Sequence, residues 1–279
     1  LGGTQPPRRA TWLRALCLEI ERIQNHLGDL GALGNDAGFG FGLAQFSRLK
    51  EELLRSVCLA IGQRYLLDAV CPGGVSFDLA ADTAGALAHC LAQVNSTSRR
   101  LQQIYEEHGG LRDRFTGAGQ VRPELARRLG MVGLAARASG IGGDLRIDHP
   151  CPPYDELRPG TVLRTEGDVA ARVAVRFDEL FESCRIARSI LAGLPGGPVT
   201  VPVQTPPAGP LGVGLIEGWR GPLLVALEPG PGGTIRRCYP HDPSRQNWPV
   251  LEHAIMDNIV PDFPLINKSF NLSYSGHDL

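Results

Sequence analysis

Residues 8–38 read RRATWLRALCLEIERIQNHLGDLGALGNDAG, and this stretch decides the fold. Its apolar residues recur at spacings of three and four, which is the pattern of an amphipathic helix packed against a core. The stripe consists of Leu13, Leu16, Ile20, Ile23, Leu27 and Leu30. Asn35 and Gly38 follow it and are residue types typical of a helix end. The pattern therefore predicts one long helix over residues 8–34.

Similar apolar stripes follow further along the chain and predict more helices of the same kind. The long ones cover residues 44–67, 79–108 and 168–192, and shorter ones cover 123–129 and 130–137. Several long amphipathic helices with short connections favour a helical bundle. We therefore assign residues 1–192 to a bundle and expect a mainly α fold.

The composition changes after Gly193. Between residues 193 and 233, 20 of 41 residues are glycine or proline, which excludes regular helix there. Short apolar runs predict three strands in this half of the chain, at 211–217, 223–227 and 234–238. Residues 193–279 are therefore expected to form a small β-containing appendage with one helix, over 248–259.

The C-terminal tail, residues 261–279, is expected to be irregular but packed into the core. Its apolar residues are Phe263, Leu265, Ile266, Phe270 and Leu272. Its polar residues, expected to satisfy buried polar groups, are Asn271, Ser273, Tyr274 and Ser275. A frayed terminus is the alternative, because chain ends are commonly poorly ordered.

The composition excludes several functions. Lys and Arg number 28 and Asp and Glu 29, so the net charge is −1, which argues against nucleic acid as a main partner. No apolar run approaches the roughly 20 residues of a membrane-spanning helix. The seven cysteines form no CxxC pair, and no GK[ST] phosphate-binding loop occurs. The chain is expected to bind neither an iron–sulfur cluster nor a nucleotide through these motifs.

A polar face interrupts the first helix. Glu19, Arg22 and His26 stand at i, i+3 and i+7, so they share one side of the helix. They could form a solvated face or a buried polar relay, and the pattern alone leaves both open. His26 could titrate near neutrality, with Asp36 just past the helix end as its carboxylate. Such a pair suits proton-coupled redox chemistry.

Further polar motifs have structural interpretations. Asp144 and Arg146 follow the glycines of the Gly140–Gly143 loop and are expected to form a local ion pair. Asp168 is placed to cap the last long helix. Within that helix, three charged residues share one face at spacings suited to Arg–Glu pairing. They are Arg172, Arg176 and Glu179.

Nine stretches in order resemble the large-subunit family shared by respiratory complex I and membrane-bound energy-converting [NiFe] hydrogenases, nearest the formate hydrogenlyase branch. The resemblance runs from about residue 6 to the end of the chain. The stretches are RATWLRALCLEIERIQNHLGDLGALGNDAGF, SRLKEELLR, PGGV, LRDRFTGAG, ARASGIGGDLR, GDVAARVAVRFDELFES, IEGWRG, HDPSRQNWP and PDFPLINKSF. It implies the bundle fold of the [NiFe] large subunit, with Glu217 and Arg220 in a structural polar motif, and a family domain whose N-terminal part precedes Leu1.

The resemblance also implies a departure in metal chemistry. The family's nickel enzymes bind their metals through two CxxC pairs, because thiolates are soft, strongly donating ligands. The C-terminal pair falls at Ser273 and Gly276, with Asn271 and Leu272 in place of the usual Asp-Pro. Neither hydroxyl nor glycine is a suitable nickel ligand. We therefore expect no metal on this chain. The resemblance places the N-terminal CxxC pair of the nickel enzymes before Leu1.

The metal-free branch of the family implies a quinone site instead. Asp36 matches an aspartate that positions a quinone-binding histidine, and His26 matches the family's helix motif. The resemblance implies that Glu19, Arg22, Asn271, Ser273 and Gly276 line the cavity. It implies a subunit of an oxidoreductase complex of the NADH dehydrogenase or formate hydrogenlyase kind. The alternatives are an active [NiFe] hydrogenase and a non-catalytic structural subunit.

The same resemblance implies partners and a location. The electron donor would be an iron–sulfur cluster on a partner small subunit, the acceptor would be quinone or a similar compound, and NAD(P)H would be oxidised elsewhere in the complex. The chain itself would bind no cofactor. It would sit peripherally on the cytoplasmic side of the inner membrane.

Overall fold

A computed structural model describes residues 1–278. In chain order the helices are α1 (Arg8–Asp36), α2 (Gly40–Ile61), α3 (Ala81–Glu107), α4 (Gly109–Phe115), α5 (Pro123–Arg128), α6 (Gly133–Ala138), α7 (Leu145–Asp148), α8 (Tyr154–Leu157), α9 (Val169–Gly193), α10 (Ser244–Ala254), α11 (Phe263–Phe270) and α12 (Tyr274–His277). The strands are β1 (Val70–Cys71), β2 (Gly74–Val75), β3 (Gly212–Glu217), β4 (Pro222–Pro229) and β5 (Ile235–His241). Most of the described chain is therefore helical.

The core forms where the four long helices meet. Helix α1 packs along α2 and α9, and α3 contacts α2 and α9 on the other side. The apolar stripe of α1 is fully buried, including Leu16, Ile20 and Leu27. Burying each such side chain contributes about 1.5–3 kcal/mol. This stripe holds α1 in the centre, so its polar face must also lie inside the protein.

An aromatic cluster joins three of the long helices. Tyr105 of α3 meets Phe46 of α2 and Phe177 of α9 edge-on, with ring centroids 5.6 and 5.7 Å away. Its hydroxyl donates to the carbonyl of Leu30 in α1 at 2.9 Å. A Cβ atom at Gly42 would lie only 2.2 Å from this hydroxyl. The close approach of the helices therefore requires glycine at that position.

The sheet β3–β4–β5 is antiparallel throughout. Its first strand ends at Glu217, which is paired with Pro222 and buried against the helices. The loop after it approaches α6 closely, since a Cβ atom at Gly133 would lie 1.9 Å from the carbonyl oxygen of Arg220. The appendage is thus joined to the helical part through the residues around Glu217.

Several predictions are confirmed. Helices α1, α3 and α9 lie within two residues of their predicted bounds, and residues 211–240 contain the three predicted strands. Asp168 caps α9 by accepting from the backbone of Ala171 at 2.8 Å. The tail residues Leu265, Ile266, Phe270 and Leu272 are buried. Within residues 1–278, no helix combines the length and apolar character of a membrane span.

Other predictions are wrong in detail. The second helix ends at Ile61 and not at residue 67, because Gly62 adopts a left-handed conformation with φ of 96°. The helix predicted over 248–259 begins earlier, at Ser244, and contains Pro249.

The predicted irregular tail is helical over most of its length, as α11 and α12. Phe263 is 47% exposed because it begins α11 on the outer side. Tyr274 and Ser275 are also exposed and satisfy no buried group. The burial prediction therefore fails for these three residues.

Candidate functional site

The polar face of α1 lies against α9, and the two helices run in opposite directions. Glu19, Arg22 and His26 have no exposed surface, so the face is buried and is not a solvated one. Asp29 continues it one turn further. We call this row the polar seam. It consists of Glu19, Arg22, His26 and Asp29 on α1 with Arg176, Glu179 and Ser183 on α9.

Glu179 is the centre of the seam. Its two carboxylate oxygens accept from Arg22 Nη2 at 2.6 Å and from Arg137 Nε at 2.7 Å. Burial alone would raise the pKa of Glu179, but the charges of Arg137 and Arg22 outweigh it and hold the pKa well below its usual range. Glu179 is therefore ionised, and a buried carboxylate of this kind depends on its cations.

A second carboxylate shares Arg137 with Glu179. Arg137 Nη1 donates to Glu217 Oε1 at 2.9 Å and to the carbonyl of Gly143 at 2.7 Å. Among residues 1–278, the other oxygen of Glu217 accepts only from the backbone of Leu145, at 3.2 Å. Burial raises the pKa of Glu217, and Arg137 opposes the rise only in part. Glu217 therefore keeps its proton to a higher pH than an ordinary glutamate.

The end of the seam at Glu19 is a third set of ion pairs. Arg146 donates to both oxygens of Glu19 at 3.1 Å and to Asp144 at 2.6 Å, which confirms the predicted local pair and extends it. Tyr154 donates its hydroxyl to Glu19 at 2.8 Å. Burial, with the charge of Glu19, raises the pKa of Tyr154 well above its usual value. Tyr154 is thus a permanent hydrogen-bond donor here.

His26 has unusual surroundings for a buried histidine. Its Nε2 lies 3.3 Å from Glu179 Oε2, but the geometry is not that of a hydrogen bond, and neither ring nitrogen has a hydrogen-bond partner within residues 1–278. Burial lowers the pKa of His26, with Arg22 and Arg176 adding to the effect and Glu179 opposing it. The ring is therefore neutral at pH 7. It could accept a proton only at a cost that Glu179 reduces.

The end of the seam at Asp29 meets the C-terminal tail. Arg176 Nε lies 3.3 Å from Asp29 Oδ2, and the side-chain amide of Asn271 donates to the other oxygen of Asp29. Arg220 donates to the backbone carbonyl of Asn271 and, at 3.3 Å, to its side-chain oxygen. Asn271 ends α11 in a left-handed conformation with φ of 52°. The tail is thus fastened to α1 at the residue predicted to satisfy buried groups.

Arg172 anchors the tail a second time. It donates to Ser269 Oγ at 2.8 Å and to backbone carbonyls of Gly167 and Gly119, while its guanidinium lies over the ring of Phe270 at 4.3 Å. Burial lowers the pKa of Arg172 to about 9.

The predicted Arg–Glu pairing within α9 is wrong. Arg172 and Arg176 stand at helical spacing from Glu179, but Arg172 binds the tail and Arg176 binds Asp29. Both side chains bind partners outside α9 instead.

Ser273 and Gly276, where the resemblance places the cysteine pair of the nickel enzymes, have other roles here. Ser273 caps α12 by accepting from the backbone of Gly276 at 2.9 Å, and its own N–H donates to Ser244 Oγ at 2.8 Å. A Cβ atom at Gly276 would lie 2.8 Å from Asp242 Cγ. The donor set therefore does not fit nickel at these positions. A cysteine at Gly276 would also require Asp242 to shift.

Asp36 is not brought to His26. The two residues are ten positions apart on one helix, which corresponds to about 15 Å of rise. Asp36 is the last residue of α1 and is half-buried. The carboxylate beside His26 is Glu179, so the pairing of His26 with Asp36 is wrong.

Several residues of the site are not predicted by the sequence patterns. Asp29 could have been found, since it continues the face of Glu19, Arg22 and His26. Arg137 and Tyr154 carry no periodic signal, because each comes from a short helix and reaches the seam only through the tertiary fold.

This site defines a class of protein: mainly helical, with a row of charged and polar side chains enclosed between two long antiparallel helices and closed at one end by the C-terminal tail. Residues 36–210 match the family described as the respiratory-chain NADH dehydrogenase 49 Kd subunit. The chain belongs to that family.

Curated relatives include members of several complexes. The chain is 32% identical to formate hydrogenlyase subunit 5 of Escherichia coli (strain K12), over 99% of this chain and 48% of the relative. It is 34% identical to a subunit of the NADH-quinone oxidoreductase of Koribacter versatilis (strain Ellin345), over 71% of this chain and 49% of the relative. The chain spans about half the length of these relatives.

A third relative is covered more fully. This protein is a subunit of the NADH-quinone oxidoreductase of Clostridium beijerinckii (strain ATCC 51743 / NCIMB 8052), and it is 30% identical over 97% of this chain and 74% of the relative.

Proposed function

We propose that the chain is the core of a hydrogenase-like large subunit within a membrane-associated oxidoreductase complex. It would adopt the family's long-helix bundle, receive electrons from an iron–sulfur cluster on a partner subunit, and pass them to quinone or a similar acceptor. Membership of the family and the names of the relatives support this proposal. NAD(P)H would be oxidised by another subunit.

The polar seam is the observation that carries the proposal. Two-electron reduction of a quinone takes up two protons, so the protein that performs it needs protonatable groups that can deliver protons toward the acceptor. The seam places a neutral imidazole 3.3 Å from an ionised carboxylate in the protein core. A protein stabilised only by packing would gain little from burying so many charges, because their desolvation offsets most of their attraction.

Individual residues take different parts in this proposal. Asp36, half-buried at the end of α1, is the candidate to act at the acceptor. His26 is fully buried, so it is a positioning and proton-holding residue. Glu19 and Arg22 would set the charge around it. Asn271 would form the wall where the tail closes the seam.

The nickel hydrogenase alternative is weaker. Ser273 is engaged in capping α12, and Gly276 has no room for a larger side chain. We propose that this end of the chain is closed by packing and hydrogen bonds. A purely structural subunit remains the second alternative, and the variant below separates it from a catalytic one.

The proposed setting is a peripheral position on the cytoplasmic side of the inner membrane. There the chain would contact an iron–sulfur small subunit and the other subunits of the complex. The formate hydrogenlyase and quinone oxidoreductase names of the relatives support this assignment.

The test uses the full-length protein, purified in mild detergent with its partners. Nickel and acid-labile sulfide are measured per complex, and reduction of a water-soluble quinone is followed with NADH, hydrogen and formate as donors. We expect acid-labile sulfide in the partners, substoichiometric nickel and quinone reduction. Stoichiometric nickel, or hydrogen turnover without quinone reduction, would contradict the proposal.

A matched pair of variants tests the catalytic part. Asp36→Asn should lower quinone reduction about tenfold or more, because it removes a titratable group with little change in shape. Asp113→Asn changes an exposed aspartate in α4 and should leave the rate unchanged. Equal rates in both variants, with the complex intact, would favour the structural subunit.

A further inference from the structure

A large cleft lies away from the polar seam's ion pairs. It has a volume of about 920 Å³ and lies between α3, the loop over residues 160–164 and the outer side of α9. Small-molecule sites commonly have volumes of about 300–1,000 Å³. Four arginines line it, against two carboxylates. They are Arg99, Arg164, Arg185 and Arg188 with Asp178 and Glu182.

Two of the arginines are used within the protein. Arg164 forms an ion pair with Asp178, and Arg185 donates to both oxygens of Glu182, at 2.6 and 2.8 Å. Glu182 also accepts from the backbone of Gly160 at 2.7 Å, which fixes the loop against α9. These pairs form two walls of the cleft.

The other two arginines, Arg99 and Arg188, have N–H groups that no other described residue uses. Within residues 1–278, neither Arg99 nor Arg188 makes a hydrogen bond or an ion pair. The guanidinium of Arg99 lies over the ring of Phe181 at 4.2 Å, which orients it without using its N–H groups. The amide of Asn95, one turn before Arg99 and half-buried, is also without a partner. Both side chains are exposed, and Arg99 acts on Asp178 only through its charge, so the cleft holds two guanidinium groups whose N–H groups are free to donate.

Thiol chemistry does not explain the cleft. Cys184 lines it, but burial raises the pKa of this thiol to about 12, despite the nearby Arg188 and Arg99. The thiol therefore stays protonated and is a poor nucleophile. The cleft is suited to binding and not to covalent reaction.

We propose that this cleft binds a soluble phosphate monoester with an apolar or planar body. One monoester carries about 1.5–2 negative charges near pH 7, which matches the two free guanidinium groups. Guanidinium donors suit phosphate oxygens because they form paired hydrogen bonds. The volume exceeds that of a single inorganic ion, and Val162, Leu163 and Phe181 supply apolar contacts for the rest of the molecule. This site is independent of the redox function proposed above.

Calorimetric titration of the full chain tests the proposal, with AMP as the probe and adenosine as its uncharged counterpart. We expect AMP to bind, adenosine to bind at least tenfold more weakly, and the Arg99→Gln/Arg188→Gln variant to lose AMP affinity tenfold or more. The matched control is Arg100→Gln/Arg128→Gln, which changes two exposed arginines outside the cleft and removes the same charge. The control should bind AMP like the unchanged protein.

Other outcomes would overturn the proposal. Equal losses of affinity in both double variants would mean that AMP responds only to the net charge of the protein and not to Arg99 and Arg188. Absence of AMP binding would show that the cleft is not a phosphate monoester site. Binding of the same variants to vesicles that contain phosphatidic acid is measured as well. If the vesicles, but not AMP, bind in a way that depends on Arg99 and Arg188, the occupant is a lipid headgroup. Circular dichroism of each variant establishes that it is folded.

Discussion

At the scale of single residues, Glu179 shows how the buried charges are held. It lies beside Arg22, Arg137 and His26, which come from two other helices, and its pKa is held well below the usual range. The cost of burying a carboxylate is offset only while these partners remain. Removing the negative charge leaves two guanidinium groups buried around a neutral amide.

Glu179→Gln should therefore lower the free energy of unfolding by about 3–5 kcal/mol, as expected when one partner of a buried ion pair is removed. The control is Glu52→Gln, which breaks an exposed pair with Arg48 and should cost less than about 1 kcal/mol. Urea denaturation followed by circular dichroism measures both. A loss below about 1 kcal/mol for Glu179→Gln would mean that the seam does not hold α1 and α9 together.

At the scale of elements, the long helices are fixed by close contacts as well as by their apolar stripes. Tyr105 reaches between α1 and α2 and occupies the space left by glycines on both helices, Gly34 and Gly42. Such a contact gives the helices one preferred separation. A larger residue at either position must push Tyr105 away from the carbonyl of Leu30.

Gly42→Ala should destabilise the protein by about 1–3 kcal/mol, the usual cost of overpacking a core. Gly85→Ala is the control, because that helical glycine has open space around its Cβ position and should change stability by no more than about 1 kcal/mol, in the stabilising direction. Adding Tyr105→Phe to Gly42→Ala removes the clashing hydroxyl. Thermal unfolding that showed no recovery in this double variant would argue against the contact as the cause.

The C-terminal tail is a second element whose packing can be measured. Phe270 is 3% exposed and lies under Arg172, so Phe270→Ala should cost about 3–5 kcal/mol. Tyr274 is 70% exposed, and Tyr274→Ala should change stability by less than about 0.5 kcal/mol. Equal melting temperatures for the two variants would mean that the tail does not close the core.

The elements also show what a sequence can predict. The stripe of α1 and the glycine-rich strands have strong local patterns, so their positions follow from spacing alone. The tail has only eight residues of helix in α11, and its prolines at 261 and 264 hide that short helix. Arg137 lies in α6 and contacts the seam only because the tertiary fold places α6 beside it. No local periodicity in the sequence predicts that contact. Local sequence patterns therefore predict the positions of the long elements, whereas the composition of the site depends on tertiary contacts.

At the scale of the whole molecule, buried titratable groups couple stability to pH. A group whose pKa is lowered by folding binds protons more readily when unfolded, so protonation favours unfolding. His26 is such a group, because burial lowers its pKa below the usual 6.5. Glu179 is another, and its stabilising effect is present above pH 4.5 and lost as the pH falls through its lowered value.

We therefore expect the free energy of unfolding to fall as the pH is lowered from about 7 through 6.5, where unfolded His26 gains a proton that the folded protein does not bind. One such proton contributes at most about 1.4 kcal/mol per pH unit. His26→Gln should flatten this part of the profile, whereas His89→Gln, at an exposed position of α3, should leave it unchanged. Urea denaturation at half-unit intervals between about pH 7.5 and 5 measures the slopes. Parallel profiles for the unchanged protein and His26→Gln would show that His26 has the same pKa in the folded and unfolded protein, and that Glu179 balances the effect of burial at the centre of the seam.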